Sequence, residues 1–397
     1  MIEEEKTMLA NLPKIPVCEY KERWDKVQKV LTDEGLDMIL LYADDRFTYG
    51  NALGRYFANL PTAFEPILIL FTPGKDPVLL VGPETPGYAK EVGTIEDIRE
   101  LKEFAAEHED YLYSKMQPLK DIVASCVDHE VKKIGLGAKN LMSADIYEAI
   151  LKNYPDAKYV NVDGNIDNIR AIKSEAELEV IKYCYKLVNM GIEAAIEAIK
   201  PGMSEREVAA EAEYVMRKNG AEGYGIDTMV CSGPNADHIL ARTTTRTIEE
   251  NDMVVLTFAP RYEGYHAACA RVIFVGEVDP KQEAAMKAMS AAQTLCGKNL
   301  LVGNVGAEVE ALGRGLMTEA GYGENFLYSG LHSVGVTEFE PPILGPSSKT
   351  VIQENMVISV DIPLHEADIH GARIEDGYII TKDGPVCLTT APHLTYK

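Results

Sequence analysis

Short apolar runs alternate with segments of helical spacing in the first part of the chain. Apolar positions recur with a helical period from Tyr20 to Glu34. The apolar runs "LDMILLY", "PILILFTPG" and "DPVLLVG" are bounded by turn residues, which predicts strands. Further helix and strand patterns alternate in "MQPLKDIVASCVDHE", "KIGLG", "MSADIYEAILKNYP" and "AKYVNVDG". We therefore expect an α/β domain over residues 1–165, with a mixed sheet flanked by helices.

A different pattern follows, and we assign residues 166–397 to a second domain. Two amphipathic helices begin there at capping boxes, Ser174 with Glu177 and Ser204 with Glu207. In such a box the serine and the glutamate satisfy free backbone amides at the helix start. A β-hairpin is predicted further on, in "VVLTFAPRYEGYHAACAR".

An internal repeat organises this second domain. The segment "GMSEREVAAEAEYVMRKNG" begins at Gly202, and "GNVGAEVEALGRGLMTEAG" begins at Gly303. The two align without gaps, share identical residues at several positions, and each follows a long helix and precedes strands. We predict an α+β domain of two similar halves, with a cleft between them as the natural place for a site.

Composition excludes several classes of function. The net charge of −23 opposes binding to nucleic acid or to an anionic membrane, because both require a basic surface. The seven cysteines are scattered without a CxxC pair, which favours a reducing compartment. The start "MIEEEKTMLANLPKIP" is acidic and does not resemble a signal peptide, and the chain has no run of 18 apolar residues. We expect a cytoplasmic protein.

Acids and histidines at successive strand ends are the candidate chemistry. His332 lies in "SGLHSVGVTEFEPPILG", Asp361 follows the strand pattern "MVISV", and Glu375 lies in "ARIEDG". Such groups bind a metal or move protons when they converge. Taken singly, each is more often a solvated or packing residue.

The chain from Arg170 onward resembles the pita-bread fold of creatinase, aminopeptidase P, prolidase and methionine aminopeptidase. The matching pieces are "RAIKSEAE", "KPGMSEREVAAEAE", "CSGPNA", "GLHSVGVTEFEPP", "ENMVISVDI" and "GARIEDGYIITKDG". The segment "VQKVLTDEGLDMILL" also resembles the amino-terminal domain of prolidase and creatinase. The resemblance implies a hydrolase fold over nearly the whole chain, and a homodimer.

The same resemblance implies an altered metal site. The family's metallopeptidases place two metal-ligating aspartates in the hairpin, at positions held here by Thr257 and Ala268. Their ligand histidine and ligand glutamates correspond to His332, Asp361 and Glu375. Two further histidines of the peptidases fall on Phe339 and Leu240.

From these differences we expect an enzyme that cleaves a C–N bond in a small amidine, amide or N-substituted amino acid. We expect it to need no cofactor, as creatinase works without metal. The predicted catalytic residues are His332, Glu375, Asp361 and His238. The predicted substrate-binding residues are His266, Phe339, Leu240, Arg373 and Arg55. Arg55 is a candidate for reaching the cleft of the partner in a homodimer.

Two alternatives remain open. The first is an Xaa-Pro dipeptidase-like or aminopeptidase-like metallopeptidase with a reduced site for one divalent metal such as zinc, manganese or iron. In that case His332, Asp361 and Glu375 are the ligands, with His266 as a further candidate. The second alternative is a pita-bread protein that binds a peptide or a partner without catalysis.

Overall fold

The computed structural model describes residues 12–106 and 108–397. Internal packing divides the chain between Arg170 and Ala171, and residues 12–14 pack with the carboxyl-terminal unit. There the hydroxyl of Tyr262 donates a hydrogen bond to the carbonyl of Pro13, at 3.1 Å. The start of the chain, from which we expected no signal peptide, lies mostly outside the described residues.

The amino-terminal unit is an α/β layer around one six-stranded sheet. Its helices are α1 (Val17–Glu34), α2 (Ala52–Ala58), α3 (Pro86–Val92), α4 (Leu119–Cys126), α5 (Ala144–Asn153) and α6 (Asp163–Ala171). Its strands are β1 (Met38–Ala43), β2 (Ile67–Phe71), β3 (Val78–Val81), β4 (Asp97–Glu100), β5 (Lys133–Gly137) and β6 (Lys158–Asn161). The spatial order is β4-β3-β2-β1-β5-β6, with β2 antiparallel to both neighbours and the other pairs parallel.

The predicted mixed sheet is thus confirmed. Strands β1, β2 and β3 are buried along their whole length, as their continuous apolar sequences require. The sequence pattern did not predict the helices α2 and α3, because seven residues are too few to display a helical period.

The carboxyl-terminal unit combines four long helices with a nine-stranded sheet. The helices are α7 (Glu175–Ala198), α8 (Glu205–Lys218), α9 (Pro280–Lys298) and α10 (Gly306–Glu319). Strands of the large sheet are β8 (Met229–Ser232), β9 (Met253–Phe258), β12 (Cys269–Phe274), β13 (Leu331–Ser333), β14 (Glu340–Ile343), β15 (Val357–Leu364), β16 (Ala372–Thr381), β17 (Gly384–Cys387) and β18 (Leu394–Tyr396). A small sheet holds β7 (Gly223–Tyr224), β10 (Pro260–Tyr262) and β11 (Tyr265–His266).

The two halves of this unit repeat the same local structure. Gly202 and Gly303 both have a positive φ, of 93° and 95°, which a residue with a side chain rarely adopts. Each glycine amide then donates to a carbonyl of a later segment, Ile248 in the first half and Ile352 in the second, at 2.9 Å in both. These matched contacts agree with the internal repeat read from the sequence.

Both capping boxes form as predicted. Ser174 and Glu177 cap α7, and Ser204 and Glu207 cap α8, each with reciprocal side-chain and backbone hydrogen bonds. The predicted hairpin also forms, and it is irregular, because β10 and β11 leave the large sheet at its turn. No helix in the described part of the chain is both long and apolar enough to cross a membrane. A cytoplasmic location remains a prediction.

Candidate functional site

Four positions within the motifs singled out from sequence lie side by side on neighbouring strands of the large sheet, in one row across it. Thr257 pairs with Ala270, Ala270 with Glu375, and Glu375 with Asp361. Residues directly opposite one another on neighbouring strands project from the same face, so all four share a face. The β15–β16 side of this row offers two carboxylates. The β9–β12 side offers only a threonine and an alanine, and the nearby Ala268 is buried and adds no polar group.

His332 and Glu375 form the centre of the site. His332 is buried on β13, and its Nε2 lies 3.5 Å from Oε1 of Glu375. The hydroxyl of Ser359 donates to the same carboxylate oxygen at 2.6 Å. Burial alone would lower the pKa of His332, but Glu375 and Glu338 together raise it to about 9. Burial raises the pKa of Glu375, and the neighbouring Asp361 raises it further.

Glu338 completes a possible ligand set that the sequence analysis missed. One ligand atom each from His332, Glu338 and Glu375 lie within 4.8 Å of one another. Glu338 follows β13 in the segment "TEFEPP". The only signal for it was an acid next to Phe339, and acids in loops are usually solvated.

Asp361 supports this cluster from the adjacent strand. Tyr328 donates a hydrogen bond to its Oδ2 at 2.6 Å. Its other oxygen, Oδ1, is buried and has no hydrogen-bond partner among the described residues. An anionic oxygen without a partner is costly in a protein interior unless a cation or a donor arrives with a ligand.

The donors present fit one divalent cation. One imidazole nitrogen and two carboxylates match the three-ligand open sites that hold zinc and similar metals. The two carboxylates balance the charge of a single such ion, and the unpaired oxygen of Asp361 is available beside them. His332, Glu338 and Glu375 are therefore the residues that would hold the metal.

Arg373 places a positive charge beside the acids. It lies two residues before Glu375 on β16 and donates from Nη2 to the carbonyl of Ile239 at 3.2 Å. Its guanidinium lies 5.6 Å from the centre of the Tyr328 ring. Burial alone would lower the pKa of Arg373, but Tyr328 and Asp361 raise it above the usual value. The side chain is a permanent cation that could bind a carboxylate.

His238 is not among the three clustered ligand residues His332, Glu338 and Glu375. His238 is exposed and lies near the buried His365, whose pKa it helps to lower. Burial, and then the charge of Arg373, account for most of this lowering, to about 3. His365 stacks on Tyr328 with ring centres 6.5 Å apart. A catalytic role for His238 stays a prediction.

His266 lies at the edge of the cluster. Its ring Nδ1 is 3.3 Å from the carbonyl of Gly335, and burial with the charge of Arg261 lowers its pKa to about 3. A Cβ added to Gly225 would meet both His266 and Glu338, which shows that these side chains are neighbours. A substrate-binding role for His266 stays a prediction.

Of the other predicted substrate-binding residues, one contacts the site and two lie elsewhere in the chain. The ring of Phe339 lies against that of His332, with ring centres 4.5 Å apart and planes tilted by 36°, so Phe339 contacts the site directly. Leu240 is three-quarters exposed on the loop after β8. Arg55 lies on α2 of the amino-terminal unit, and its proposed contact with a partner subunit stays a prediction.

Comparison with known proteins identifies the family. Residues 179–382 match the model of metallopeptidase family M24, and residues 23–172 match the creatinase/prolidase amino-terminal domain. The chain belongs to metallopeptidase family M24. The expectation from sequence of a creatinase, aminopeptidase P and prolidase relative is confirmed, and so is its two-part fold.

Several relatives carry the name Xaa-Pro dipeptidase. Those of Pyrococcus horikoshii and Pyrococcus furiosus are 34% and 32% identical over 254 residues. The match covers 64% of this chain in both cases, and 72% and 73% of the relatives. The solved structure of the Pyrococcus horikoshii prolidase superposes with a TM-score of 0.82 at 27% identity, over 94% of this chain and 99% of that one. An Xaa-Pro dipeptidase from Bacillus anthracis gives a TM-score of 0.80 at 27% identity, over 95% and 100%.

These relationships correct one prediction. We expected no cofactor, and this is wrong, because the family is one of metallopeptidases. The argument from sequence rested on the missing aspartates at Thr257 and Ala268. Glu338, which was not predicted from sequence, adds a carboxylate within reach of His332 and Glu375. The comparisons favour the metallopeptidase alternative over metal-free amidine hydrolysis.

Proposed function

We propose that this protein is a metal-dependent peptidase that hydrolyses Xaa-Pro dipeptides at a site for one divalent cation. The observation that supports this most strongly is the convergence of ligand atoms from His332, Glu338 and Glu375 within 4.8 Å. The names of the relatives support the substrate class. A single cation is favoured because Thr257 and Ala268 provide no carboxylates for a second.

The protein's own residues have distinct roles in this proposal. A divalent cation held by His332, Glu338 and Glu375 would supply an activated water molecule and would polarise a carbonyl group. Arg373, a fixed positive charge beside the acids, binds the carboxylate of the dipeptide. Phe339, whose ring lies against His332, provides an apolar surface for the pyrrolidine ring.

Hydrogen bonds hold one ligand, Glu375, and the neighbouring Asp361 in position. The hydroxyl of Ser359 holds Oε1 of Glu375, and Tyr328 holds Oδ2 of Asp361. Such contacts to ligand groups commonly change metal affinity by roughly 10- to 100-fold when removed. The site therefore depends on hydroxyl donors as well as on the ligands themselves.

The test combines metal binding with a substrate panel. Protein stripped with a chelator is titrated with Mn²⁺ by calorimetry, and then assayed on Ala-Pro, Met-Pro, Ala-Ala and small N-substituted amino acids. We expect one Mn²⁺ per chain, hydrolysis of the two proline dipeptides, and loss of both properties in His332→Ala. The variant Glu354→Gln, which changes an exposed acid, is the matched control.

Other outcomes decide against the proposal. Two Mn²⁺ ions per chain would contradict the single site, and no Mn²⁺ would contradict metal dependence. Binding of Ala-Pro without turnover would instead favour the non-catalytic alternative. The homodimer remains a prediction, to be measured by sedimentation of the full chain.

A further inference from the structure

Tyr185 on α7 carries a buried hydroxyl that the proposed mechanism does not yet use. The side chain is 1% exposed, the backbone amide of Ala268 lies close to its Oη, and the hydroxyl proton finds no acceptor in the described part of the chain. A buried hydroxyl whose proton has no acceptor contributes less to the stability of a folded protein than a hydroxyl that donates a hydrogen bond. In an active site, such a group often makes its hydrogen bond only when a ligand binds.

The hydroxyl lies beside the catalytic acids. It occupies the space that a Cβ on Gly377 would need, so only a glycine there leaves room for it. Residues 375 and 377 project from the same side of β16, because side chains alternate along a strand. Burial raises the pKa of Tyr185 well above its usual value, the nearby charge of Glu375 raises it further, and the backbone amide of Ala268 lowers it.

Few side chains near this hydroxyl can donate a hydrogen bond to a substrate. Ala268 and Ala270 carry no polar group, and the hydroxyl of Ser359, opposite Gly377, already donates to Glu375. A phenol at neutral pH keeps its proton and acts as a donor. An acceptor for the hydroxyl proton of Tyr185 would therefore come with the substrate.

We propose that Tyr185 is a catalytic residue whose hydroxyl donates a hydrogen bond to the scissile carbonyl oxygen as negative charge develops on it. This inference rests on the proposed peptidase function. The proton stays on Tyr185 throughout, so the hydroxyl stabilises charge and transfers no group. Preorganised donors of this kind act in a site from which water is excluded, where they need no reorientation during the reaction.

The first experiment needs no substrate. Tyr185→Phe and the control Tyr183→Phe are unfolded by heat without metal or ligand. The hydroxyl of Tyr183, two residues earlier on α7, donates to the carbonyl of Asn219 at 2.8 Å. We expect Tyr185→Phe to melt at or above the wild-type temperature, and Tyr183→Phe to melt below it. A loss of stability in Tyr185→Phe as large as in the control would overturn the inference, because the hydroxyl would then have a structural partner.

The second experiment separates catalysis from binding. With Mn²⁺ and Ala-Pro, we expect Tyr185→Phe to lower kcat by about 10²- to 10³-fold, the usual effect of losing an oxyanion donor. KM and Mn²⁺ affinity should stay within threefold of wild type. A kcat within threefold of wild type would overturn the role of Tyr185, while leaving the peptidase function intact.

A third measurement covers the case in which no dipeptide is hydrolysed. The proposed function then fails, and Tyr185 is judged by binding of a phosphinate analogue of Ala-Pro to the Mn²⁺-loaded protein. This probe presents a tetrahedral anionic oxygen in place of the carbonyl. Binding at least tenfold weaker in Tyr185→Phe supports the donor role. Equal affinity in both proteins, or no binding by wild type, overturns it.

Discussion

The buried ion pair between Lys173 and Glu340 anchors the strand that carries His332. Lys173 lies just before α7, and its Nζ is 3.0 Å from Oε1 of Glu340 on β14. The same ammonium donates to the hydroxyl of Ser333, next to His332, at 2.7 Å. Both charged side chains are 1% exposed. We predict that Lys173→Met is severely destabilising.

The magnitude follows from what the substitution leaves behind. Methionine matches the lysine stem in length, so the packing changes little and the main loss is the charge. Glu340 would remain as a buried carboxylate without its counter-ion, which costs about 3–5 kcal/mol. For a unit of this size, 1 kcal/mol corresponds to roughly 2–4 °C in melting temperature. A loss of about 4 kcal/mol therefore lowers the melting temperature by roughly 8–16 °C.

Two spectroscopic probes can follow the two units. The single tryptophan, Trp24, lies on α1 of the amino-terminal unit, so its fluorescence reports on that unit. Far-ultraviolet circular dichroism also records the helices of the carboxyl-terminal unit. Lys182→Met is the matched control, because Lys182 pairs with Glu179 on the surface of α7, where both side chains are about half exposed. Exposed pairs of this kind contribute roughly 0.3–0.5 kcal/mol.

A second variant tests the reasoning about charge. Lys173→Met combined with Glu340→Leu removes both ions, and should recover most of the lost stability, since a buried pair can be replaced by apolar groups at little cost. Lys173→Met within 1 kcal/mol of wild type would refute the argument. So would a double variant less stable than Lys173→Met alone.

Three further predictions concern the ligands, a buried histidine and a helix cap. Glu338→Gln should weaken Mn²⁺ binding at least tenfold by calorimetry, whereas Glu354→Gln leaves it unchanged, because only Glu338 lies in the ligand cluster. The pKa of His365 is about 3 in the folded state against about 6.5 when unfolded, so its contribution to stability is present above pH 6.5 and is lost as pH falls. Urea unfolding should give a free energy of unfolding about 2 kcal/mol lower at pH 5 than at pH 7 from this histidine alone. In His365→Phe the free energy of unfolding should fall less between pH 7 and pH 5 than in wild type, and an equal fall would contradict the prediction. Ser204→Ala removes the α8 cap and should cost about 1 kcal/mol in the same assay; an unchanged urea midpoint would show that the cap does not contribute.

Local patterns in the sequence determined most of the fold. The capping boxes at Ser174 and Ser204 predicted the starts of α7 and α8, because a cap is satisfied by residues only three positions apart. The repeat at Gly202 and Gly303 likewise predicted two similar halves, since a positive φ is a local requirement. Period and turn residues were enough to recognise the strands that are buried throughout.

The tertiary structure alone decided the composition of the site. His332, Asp361 and Glu375 were predicted from sequence, because each has its place in a recognisable motif. Glu338 could not be predicted in the same way, since only the tertiary structure brings this loop acid close to His332 and Glu375.

The position of Tyr185 beside the site was even less predictable from sequence. It lies on a helix far from the acidic motifs in sequence, and only the packing of α7 against the sheet places its hydroxyl beside Gly377. Metal ligation and charge stabilisation depend on distances of a few ångströms between residues remote in the chain. Local periodicity carries no information about such distances, so they are set only when the sheet and helices pack.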